Sequence, residues 1–365
     1  MTRSSSETPQ SRAAYARGQH WMKAVGACIA QLDPVPRGAN IGFVYLGREL
    51  GAFTDLITSS LREATGVRTW VGATGRAALG PGCGEVPEGG LAVLVTTLAE
   101  RSFWLLESVA DRVGRGSAAI LHAETGAIGL SARLAELAMR TEAFLIGVSS
   151  AAGSGLPQVA GAVGEGVVSG VVLGNALAVL PLVVRGCVQL GPTCRVTSRI
   201  GPEVYALDGR PALDLVLERL GDIARARPER ALEEILLGRP DHREGRPRPV
   251  ARVVAFDLGR RSLTLEPSEL AGAEIALFRR DPPTAERRLR EALGSVRETL
   301  AGRRPTAVLY FTAARRLAKL GSTGIQEVEL MLDALGRPPL VGLASDAVII
   351  EDRIEPAAAV AAVLA

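Results

Sequence analysis

The sequence is poor in the residues that build metal, redox and nucleic-acid sites. Its 365 residues include four cysteines and three histidines, and aromatic residues make up only 4%. No two cysteines have the C-x-x-C spacing and histidines are few, so we expect no structural zinc site. A net charge of +3 and so few aromatic residues exclude the electrostatic footprint and the base-stacking platform of a nucleic-acid-binding protein. With 47% hydrophobic residues, the composition favours a multi-domain α/β protein.

Long hydrophobic runs are also scarce. The first thirty residues show no secretory signal, because the apolar stretch 24–30 is short and is broken by Gly26. Residues 166–184 are nineteen residues without a charge, which is nearly the length of a membrane span. Gly174, Asn175 and Pro181 interrupt this valine-rich stretch, a pattern that predicts a buried β-hairpin instead. We therefore expect a cytoplasmic protein with reduced thiols.

One pattern occurs three times along the chain. Each copy has a hydrophobic strand, a polar or glycine-bearing loop, an amphipathic helix and a second strand that reads hydrophobic-Gly-hydrophobic before Ser or Thr. This alternation predicts βαβ units with parallel strand pairs and right-handed crossovers. The first strands are predicted at 41–45, 118–122 and 307–311, and the second strands carry Gly72, Gly147 and Gly342.

The segments outside these copies complete the predicted architecture. A helix is predicted within 15–32, and residues 222–248, rich in Arg and Pro, are typical of a surface excursion with a short helix at 229–237. Antiparallel strands are predicted at 250–257, 262–266 and 275–279, and a charged helix at 282–300. The fold class we predict is α/β, with repeated βαβ units forming mixed sheets and two related domains packed into one body.

The stretch 187–213 resembles the junction of a FIST protein, which couples an N-terminal and a C-terminal FIST domain. The phrases that carry the resemblance are Leu190-Gly191-Pro192, Val196-Thr197 and Leu207-Asp208-Gly209-Arg210-Pro211-Ala212-Leu213. Upstream, Phe43-Val44-Tyr45, Val71-Gly72-Ala73-Thr74 and Ile146-Gly147-Val148-Ser149 resemble the N-terminal FIST domain. The resemblance covers about residues 15–365. It implies a FIST N-terminal-like domain at 15–185 and a FIST C-terminal-like domain at 186–365. The polar N-terminus, 1–14, is predicted to be disordered.

Near its C-terminal end the chain departs from the family pattern. The family often has a Cys after the strand that corresponds to 308–311, where this chain has Thr312-Ala313-Ala314-Arg315. A Gly-Glu and a late His/Thr signature are also absent. The resemblance implies a signal-transducing sensor of a small ligand, with amino acids proposed as ligands for the family. Because we recognise no output module in the sequence, we expect signalling through a separate protein such as a histidine kinase or regulator.

Candidate ligand-binding residues follow from the βαβ units, since ligands of parallel sheets collect at the carboxyl ends of strands. Arg, acidic, Ser and His side chains at these strand ends suit a zwitterionic ligand. Arg can donate two hydrogen bonds to a carboxylate, and an acidic group can bind an ammonium. We expect the site between the two domains, with Arg76 or, preferably, Arg315 on the ligand carboxylate and the glycine-rich residues 151–156 over it. The candidates are Arg48, Thr74, Arg76, His122, Glu124, Ser149, Ser150, Arg315, Ser345 and Asp346.

His122 leaves an alternative open. It directly follows a predicted apolar strand, where it either caps the next loop or ligates haem iron. In the second case the family resemblance implies a gas sensor, since some FIST proteins look like haem-binding nitric-oxide sensors. Apart from that haem, no cofactor, metal, nucleic acid or membrane partner is expected. A second alternative is an enzyme acting on a small carbonyl or amino-acid substrate, although no Ser/His/Asp, Cys/His or paired-carboxylate constellation is legible.

Overall fold

The structure is a computed structural model, and two compact units make up the chain. The first unit comprises Met1–Val184, Glu286–Ile354 and Ala358–Ala365, and the second comprises Arg185–Ala285 and Glu355–Ala357. In the part of the chain that the structure describes, no helix is both long and apolar enough to cross a membrane. The described residues are 11–18, 20–84, 89–106, 116–124, 127–150, 155–164, 167–221, 228–239, 248–266, 274–321 and 326–365.

Strands dominate the secondary structure, and helices connect or cover them. The strands are β1 (Ser11–Ala16), β2 (Ile41–Gly47), β3 (Thr69–Gly75), β4 (Ala77–Leu79), β5 (Leu91–Thr96), β6 (Phe103–Leu105), β7 (Gly116–Glu124), β8 (Phe144–Ser150), β9 (Gln158–Ala160), β10 (Ala162–Gly164), β11 (Val168–Gly174), β12 (Val179–Arg185), β13 (Cys187–Gln189), β14 (Cys194–Ile200), β15 (Glu203–Leu207), β16 (Arg210–Pro211), β17 (Ile235–Arg239), β18 (Arg248–Asp257), β19 (Ser262–Glu266), β20 (Glu274–Arg280), β21 (Ala307–Ala313), β22 (Leu340–Ser345), β23 (Ala347–Ile350), β24 (Arg353–Glu355) and β25 (Ala358–Leu364). The helices are α1 (Trp21–Leu32), α2 (Thr54–Thr65), α3 (Leu130–Thr141), α4 (Ala212–Leu220), α5 (Pro228–Leu232), α6 (Pro282–Leu300), α7 (Ala314–Gly321) and α8 (Glu327–Leu335), with a 3-10 helix at Arg48–Phe53.

Each of three sheets in the first unit is built around one predicted βαβ pair. β2 lies parallel to β3, β7 to β8, and β21 to β22. The chain then returns with a strand antiparallel to the first member of each pair: β5 on β2, β11 on β7 and β25 on β21. We call these groups repeats 1, 2 and 3. The complete strand orders are β1-β5-β2-β3-β9-β10, β24-β23-β8-β7-β11-β6 and β12-β25-β21-β22-β4.

The repeats exchange one strand in a cyclic order. The strand β4 follows β3 of repeat 1 along the chain but pairs with β22 of repeat 3. Similarly, β23 follows β22 of repeat 3 and pairs with β8 of repeat 2, while β9 follows β8 of repeat 2 and pairs with β3 of repeat 1. The connectivity of the first unit is therefore approximately threefold, and the inner faces of the three sheets meet along one axis.

Both faces of these sheets are buried. The inner faces share a single core to which Phe43, Ile120 and Leu309 each contribute from a different repeat. The outer faces pack against α1 and α2 in repeat 1, against α3 in repeat 2, and against α6, α7 and α8 in repeat 3. Because strands covered on both sides need apolar residues at every position, the sequence shows hydrophobic runs rather than strict alternation.

Glycine is required at one equivalent position in each repeat. Gly72, Gly147 and Gly342 lie in β3, β8 and β22, opposite a residue of the parallel neighbour. A Cβ atom at any of the three would lie 1.7–1.8 Å from the carbonyl oxygen of that opposite residue. Close backbone approach therefore explains the hydrophobic-Gly-hydrophobic pattern.

The second unit contains a closed antiparallel barrel. Its path β20-β14-β15-β19-β18-β17 is closed by pairing of β17 with β20, and β13 and β16 pair with β20 and β15. The helix α4 buries Leu213, Leu215 and Val216 in the core that the barrel strands share. A two-pronged ion pair, Arg185 Nε and Nη2 each 2.7 Å from a Glu355 oxygen, joins the ends of the two segments of this unit.

Most predicted elements are confirmed. The mixed α/β architecture, the three parallel pairs, the strand positions of Gly72, Gly147 and Gly342, and the helix at 282–300 agree with the sequence analysis. The antiparallel strands predicted between residues 250 and 279 are also present, as β18, β19 and β20.

Other expectations are corrected. Residues 11–14 are not disordered, since they belong to β1 and pair with β5, and the first helix begins only at Trp21. Residues 166–184 do contain two strands, but β11 and β12 lie in different sheets and form no hairpin. The short helix ends at Leu232, where the chain turns into β17. The first compact unit ends and the second begins at Val184/Arg185, near the expected domain boundary. The chain then returns to the first unit from Glu286 onward.

Candidate functional site

One layer of the inner core consists of an equivalent residue from each repeat. Tyr45, His122 and Phe311 each stand one position after the residue that faces the repeat's glycine. Their rings meet edge-on, with centroid distances of 5.7 Å for Tyr45–His122, 5.4 Å for Tyr45–Phe311 and 6.4 Å for His122–Phe311. We call these three residues the aromatic layer. It marks the axis on which the repeats converge.

Small and polar residues occupy the next layer toward the carboxyl ends of the strands. Since side chains alternate along a strand, the residues two positions beyond the aromatic layer face the same axis. Two residues of strand advance about 7 Å, which is the depth between the two layers. The three first strands place Gly47, Glu124 and Ala313 here, in register with Gly75, Ser150 and Ser345 of the second strands.

The exchanged strands bring two charged residues to this layer. Arg76 immediately precedes Ala77, which is paired with Ala344, and Asp346 immediately precedes Ala347, which is paired with Ser149. One residue further, these registers place Arg76 beside Ser345 and Asp346 beside Ser150. Arg76, Glu124, Ser150, Ser345 and Asp346 are the polar residues of this layer, and we call them the mouth layer.

Arg76 and Asp346 form an ion pair across two repeats. The Nε and Nη2 atoms of Arg76 lie 2.9 and 2.7 Å from Oδ1 of Asp346. The arginine side chain is 47% exposed and the aspartate side chain only 10%. Such a half-exposed pair contributes little stability, about 0–1 kcal/mol. The pair therefore places opposite charges at the mouth without being needed to hold the fold together.

Hydrogen bonds fix the backbone around the mouth layer. The Oγ atom of Ser345 donates to the Ser149 carbonyl oxygen at 3.0 Å, which joins repeat 3 to repeat 2. The backbone N–H of Arg76 donates to the Ala344 carbonyl oxygen at 2.8 Å, which joins repeat 1 to repeat 3. Within repeat 2, Ser150 Oγ donates to the Ala123 carbonyl oxygen at 3.3 Å. All three repeats are thus tied together where the charged side chains meet.

The other candidates lie elsewhere. Thr74 and Ser149 stand one position before the mouth layer, so their side chains face the opposite side of their sheets; the Thr74 hydroxyl is 3.2 Å from that of Thr54 on α2. Arg48 begins the 3-10 helix and Arg315 is the second residue of α7, and both are exposed. Five of the ten candidates form the mouth layer, and His122 lies directly beneath it. All ten belong to the first unit, and residues 151–154 of the glycine-rich stretch lie outside the described residues.

His122 is a buried and neutral residue. Its side chain and that of Tyr45 are 0% exposed. Burial lowers the pKa of His122 to about 3 and raises the pKa of Tyr45 well above its usual value. Among the described residues, no group hydrogen-bonds to either ring nitrogen of His122, to the Tyr45 hydroxyl or to the hydroxyl of Ser169, which faces His122 from β11. Four polar atoms are therefore buried here without a protein partner.

Haem does not fit at His122. Ligation requires an imidazole nitrogen that opens onto a pocket as wide as the macrocycle. The His122 ring has no exposed surface and is in contact with the rings of Tyr45 and Phe311. Within the described ranges, no three His, Cys, Asp or Glu side chains group closely enough to hold a metal ion. Of the other histidines, His20 is exposed and His242 lies outside the described residues.

Replacing His122 by phenylalanine, the residue at this position in repeat 3, is expected to reduce the acid sensitivity of folding. The unfolded chain takes up a proton at His122 below pH 6.5 and the folded chain only near pH 3, so folding loses stability across that window as the pH falls. At pH 5 this loss amounts to about 2 kcal/mol. Urea denaturation at pH 7 and pH 5 measures it. His20→Phe serves as the control, and an equal pH dependence in wild type and His122→Phe would contradict the assignment.

The sequence analysis missed two polar residues of the axis, Tyr45 and Ser169. Aligning the predicted first strands 41–45, 118–122 and 307–311 places Tyr45 at the same position as His122 and was the available signal. Ser169 carried no such signal, because its proximity to His122 depends on the register of β11 against β7.

The family comparison agrees with the first half of the chain. Residues 40–210 match the family model of the FIST N domain, a span that includes repeats 1 and 2 and the first strands of the second unit. The match does not extend to a C-terminal FIST domain. No curated protein matches the chain. FIST domains are associated with signal transduction and with sensing of small ligands.

Proposed function

We propose that the mouth layer binds a small zwitterionic metabolite, with an amino acid as the first candidate. The observation that carries the proposal is the convergence of one arginine and two carboxylates at the carboxyl ends of strands from three repeats. Arg76 offers a planar fork of N–H donors for a carboxylate. Asp346 and Glu124 offer oxygens for an ammonium group.

The ion pair between Arg76 and Asp346 resembles the contacts that such a ligand would make. A zwitterion inserted between them supplies a carboxylate to Arg76 and an ammonium to Asp346, so both side chains exchange one charged partner for another. Because the half-exposed pair contributes little stability, separating it costs little.

Binding at this position suits a sensor. The mouth layer takes residues from all three repeats, so a ligand that bridges them changes the contacts between the repeats. In our proposal the protein works in the cytoplasm and passes this change to a separate output protein such as a histidine kinase or regulator. The association of FIST domains with signal transduction supports that role.

Arg76→Gln is expected to weaken ligand binding by about 10- to 150-fold. Charge-assisted hydrogen bonds to a carboxylate contribute about 1.5–3 kcal/mol, and each 1.4 kcal/mol is a factor of ten in affinity. Titration calorimetry of the full chain against the common amino acids measures the effect. Arg315→Gln is the matched control, because it removes an exposed arginine outside the mouth layer. If no amino acid binds, or if both variants bind equally well, the carboxylate clamp is refuted.

A further inference from the structure

A second polar group of residues lies directly beneath the mouth layer. Tyr45 and His122 are side by side, and Ser169 faces His122 across the β7–β11 pair. A polar atom buried without a partner costs about 1–3 kcal/mol, so most such atoms in proteins are satisfied. Tyr45, His122 and Ser169 together bury four such atoms on the axis. Close packing of the core does not explain why these side chains are polar.

The other repeats show that the fold does not need polar side chains at these positions. Repeat 3 carries Phe311 where repeat 2 carries His122. Opposite these residues, repeat 3 has Val360 and repeat 2 has Ser169. The same layer can therefore be built from apolar side chains.

We infer that Tyr45, His122 and Ser169 form a deep subsite that receives an uncharged, hydrogen-bonding side-chain tip of the ligand, such as a carboxamide. This inference rests on the proposed function, since the mouth layer must hold the ligand's main chain. When the ligand separates Arg76 from Asp346, its side chain points down the axis. The layer above the subsite holds Gly47, Gly75 and Ala313 beside the polar residues of the mouth layer, and these three carry no side-chain atom beyond Cβ.

The chemistry of the subsite selects an uncharged group. A hydroxyl can donate or accept a hydrogen bond, and a neutral imidazole has one donor and one acceptor nitrogen, so together they satisfy both ends of an amide. His122 is neutral at physiological pH because burial lowers its pKa to about 3. A carboxylate or ammonium here would be buried without an opposite charge, which is costly. A glutamine side chain extends about 5 Å beyond its Cα atom, so its amide can hydrogen-bond to a group about 7 Å below.

The test compares three amino acids of similar length that differ at the tip: L-glutamine, L-glutamate and L-methionine. Titration calorimetry of the full chain is expected to show L-glutamine binding at least tenfold more tightly than the other two. Tyr45→Phe and Ser169→Ala are each expected to weaken L-glutamine about tenfold and to leave L-methionine unchanged. Equal binding of the three amino acids, or an unchanged glutamine-to-methionine ratio in both variants, would overturn the subsite.

Tyr310→Phe is the matched control. Tyr310 is also a fully buried tyrosine on a first strand, but its hydroxyl donates to Glu327 at 2.5 Å on the outer face of the sheet. Removing that hydroxyl is expected to lower the melting temperature and leave the glutamine-to-methionine ratio unchanged. Tyr45→Phe removes an unpartnered hydroxyl, so the melting temperature without ligand is expected to stay level or rise. A fall as large as that of Tyr310→Phe would show a structural role and overturn the subsite.

The Arg76→Gln variant separates the two proposals. If L-glutamine binding depends on Arg76 but not on Tyr45 or Ser169, the deep subsite is refuted and the mouth layer stands. If none of the three amino acids binds the wild-type chain, the deep subsite is refuted, and the mouth layer is refuted as well only if no other common amino acid binds.

Discussion

Gly342→Ala is expected to destabilise the protein by more than about 4 kcal/mol, enough to leave most of the chain unfolded. The new Cβ atom would lie 1.7 Å from the Tyr310 carbonyl oxygen. That oxygen belongs to the backbone of the parallel neighbour, so it moves only if β21 and β22 separate. Separation would also disturb β4 and β25, which flank this pair.

Urea denaturation and the yield of soluble protein measure this effect. Gly294→Ala is the control, because Gly294 lies inside α6 and an added Cβ meets no atom within 4 Å. That substitution is expected to stabilise the protein by about 0.5–1 kcal/mol through helix propensity. Gly147→Ala is expected to match Gly342→Ala, since its Cβ would lie 1.8 Å from a carbonyl oxygen. A loss below 1 kcal/mol at both positions would contradict the close-approach explanation.

The repeats could be predicted because their signals are local. Each strand–helix–strand copy carries its own hydrophobic periods, and the glycine of the second strand reflects contact with a strand a short distance away in sequence. The helix α6 could be predicted in the same way, since its charged and apolar residues alternate with the helical period. These parts of the fold depend on nearby residues alone.

The exchanged strands and the closed barrel could not be predicted for the opposite reason. The pairing of β4 with β22 joins residues more than 260 positions apart, and closure of the barrel by β17 and β20 depends on register. Residues 166–184 illustrate the difference: both strands were recognised, but their partners in two separate sheets were not. A hydrophobic pattern predicts a strand, but it does not predict which other strand pairs with it.

The mouth layer was predictable to the extent that strand ends converge. The rule that ligands collect at carboxyl ends selected Arg76, Glu124 and Asp346, which the structure brings into one layer, and their contact with a ligand stays a prediction. The alternation of side chains excluded Thr74 and Ser149, which differ from the mouth layer by a single position. Arg315 was favoured in the sequence analysis, but it is exposed on α7, whereas the next residue, Arg316, is buried.

Arg316→Met is expected to destabilise the protein by about 3–5 kcal/mol, because it leaves a buried carboxylate without its counter-charge. The Arg316 side chain is 3% exposed and that of Glu327 is 0% exposed. Two guanidinium nitrogens bind the two Glu327 oxygens, the Nη2–Oε1 distance being 2.6 Å, and the Tyr310 hydroxyl donates to the same carboxylate. This network joins α7, α8 and β21 on the outer face of repeat 3.

The neighbouring arginine provides the control for this prediction. Arg315→Met removes an exposed guanidinium from the same helix and is expected to change the unfolding free energy by less than about 0.5 kcal/mol. The double variant Arg316→Met/Glu327→Leu is expected to recover most of the loss, because no unpaired charge remains and an apolar pair can replace a buried ion pair. Urea denaturation of wild type, Arg316→Met, Glu327→Leu and the double variant completes the cycle. If Arg316→Met alone stays within 1 kcal/mol of wild type, the stabilising role assigned to the Arg316–Glu327 ion pair is contradicted.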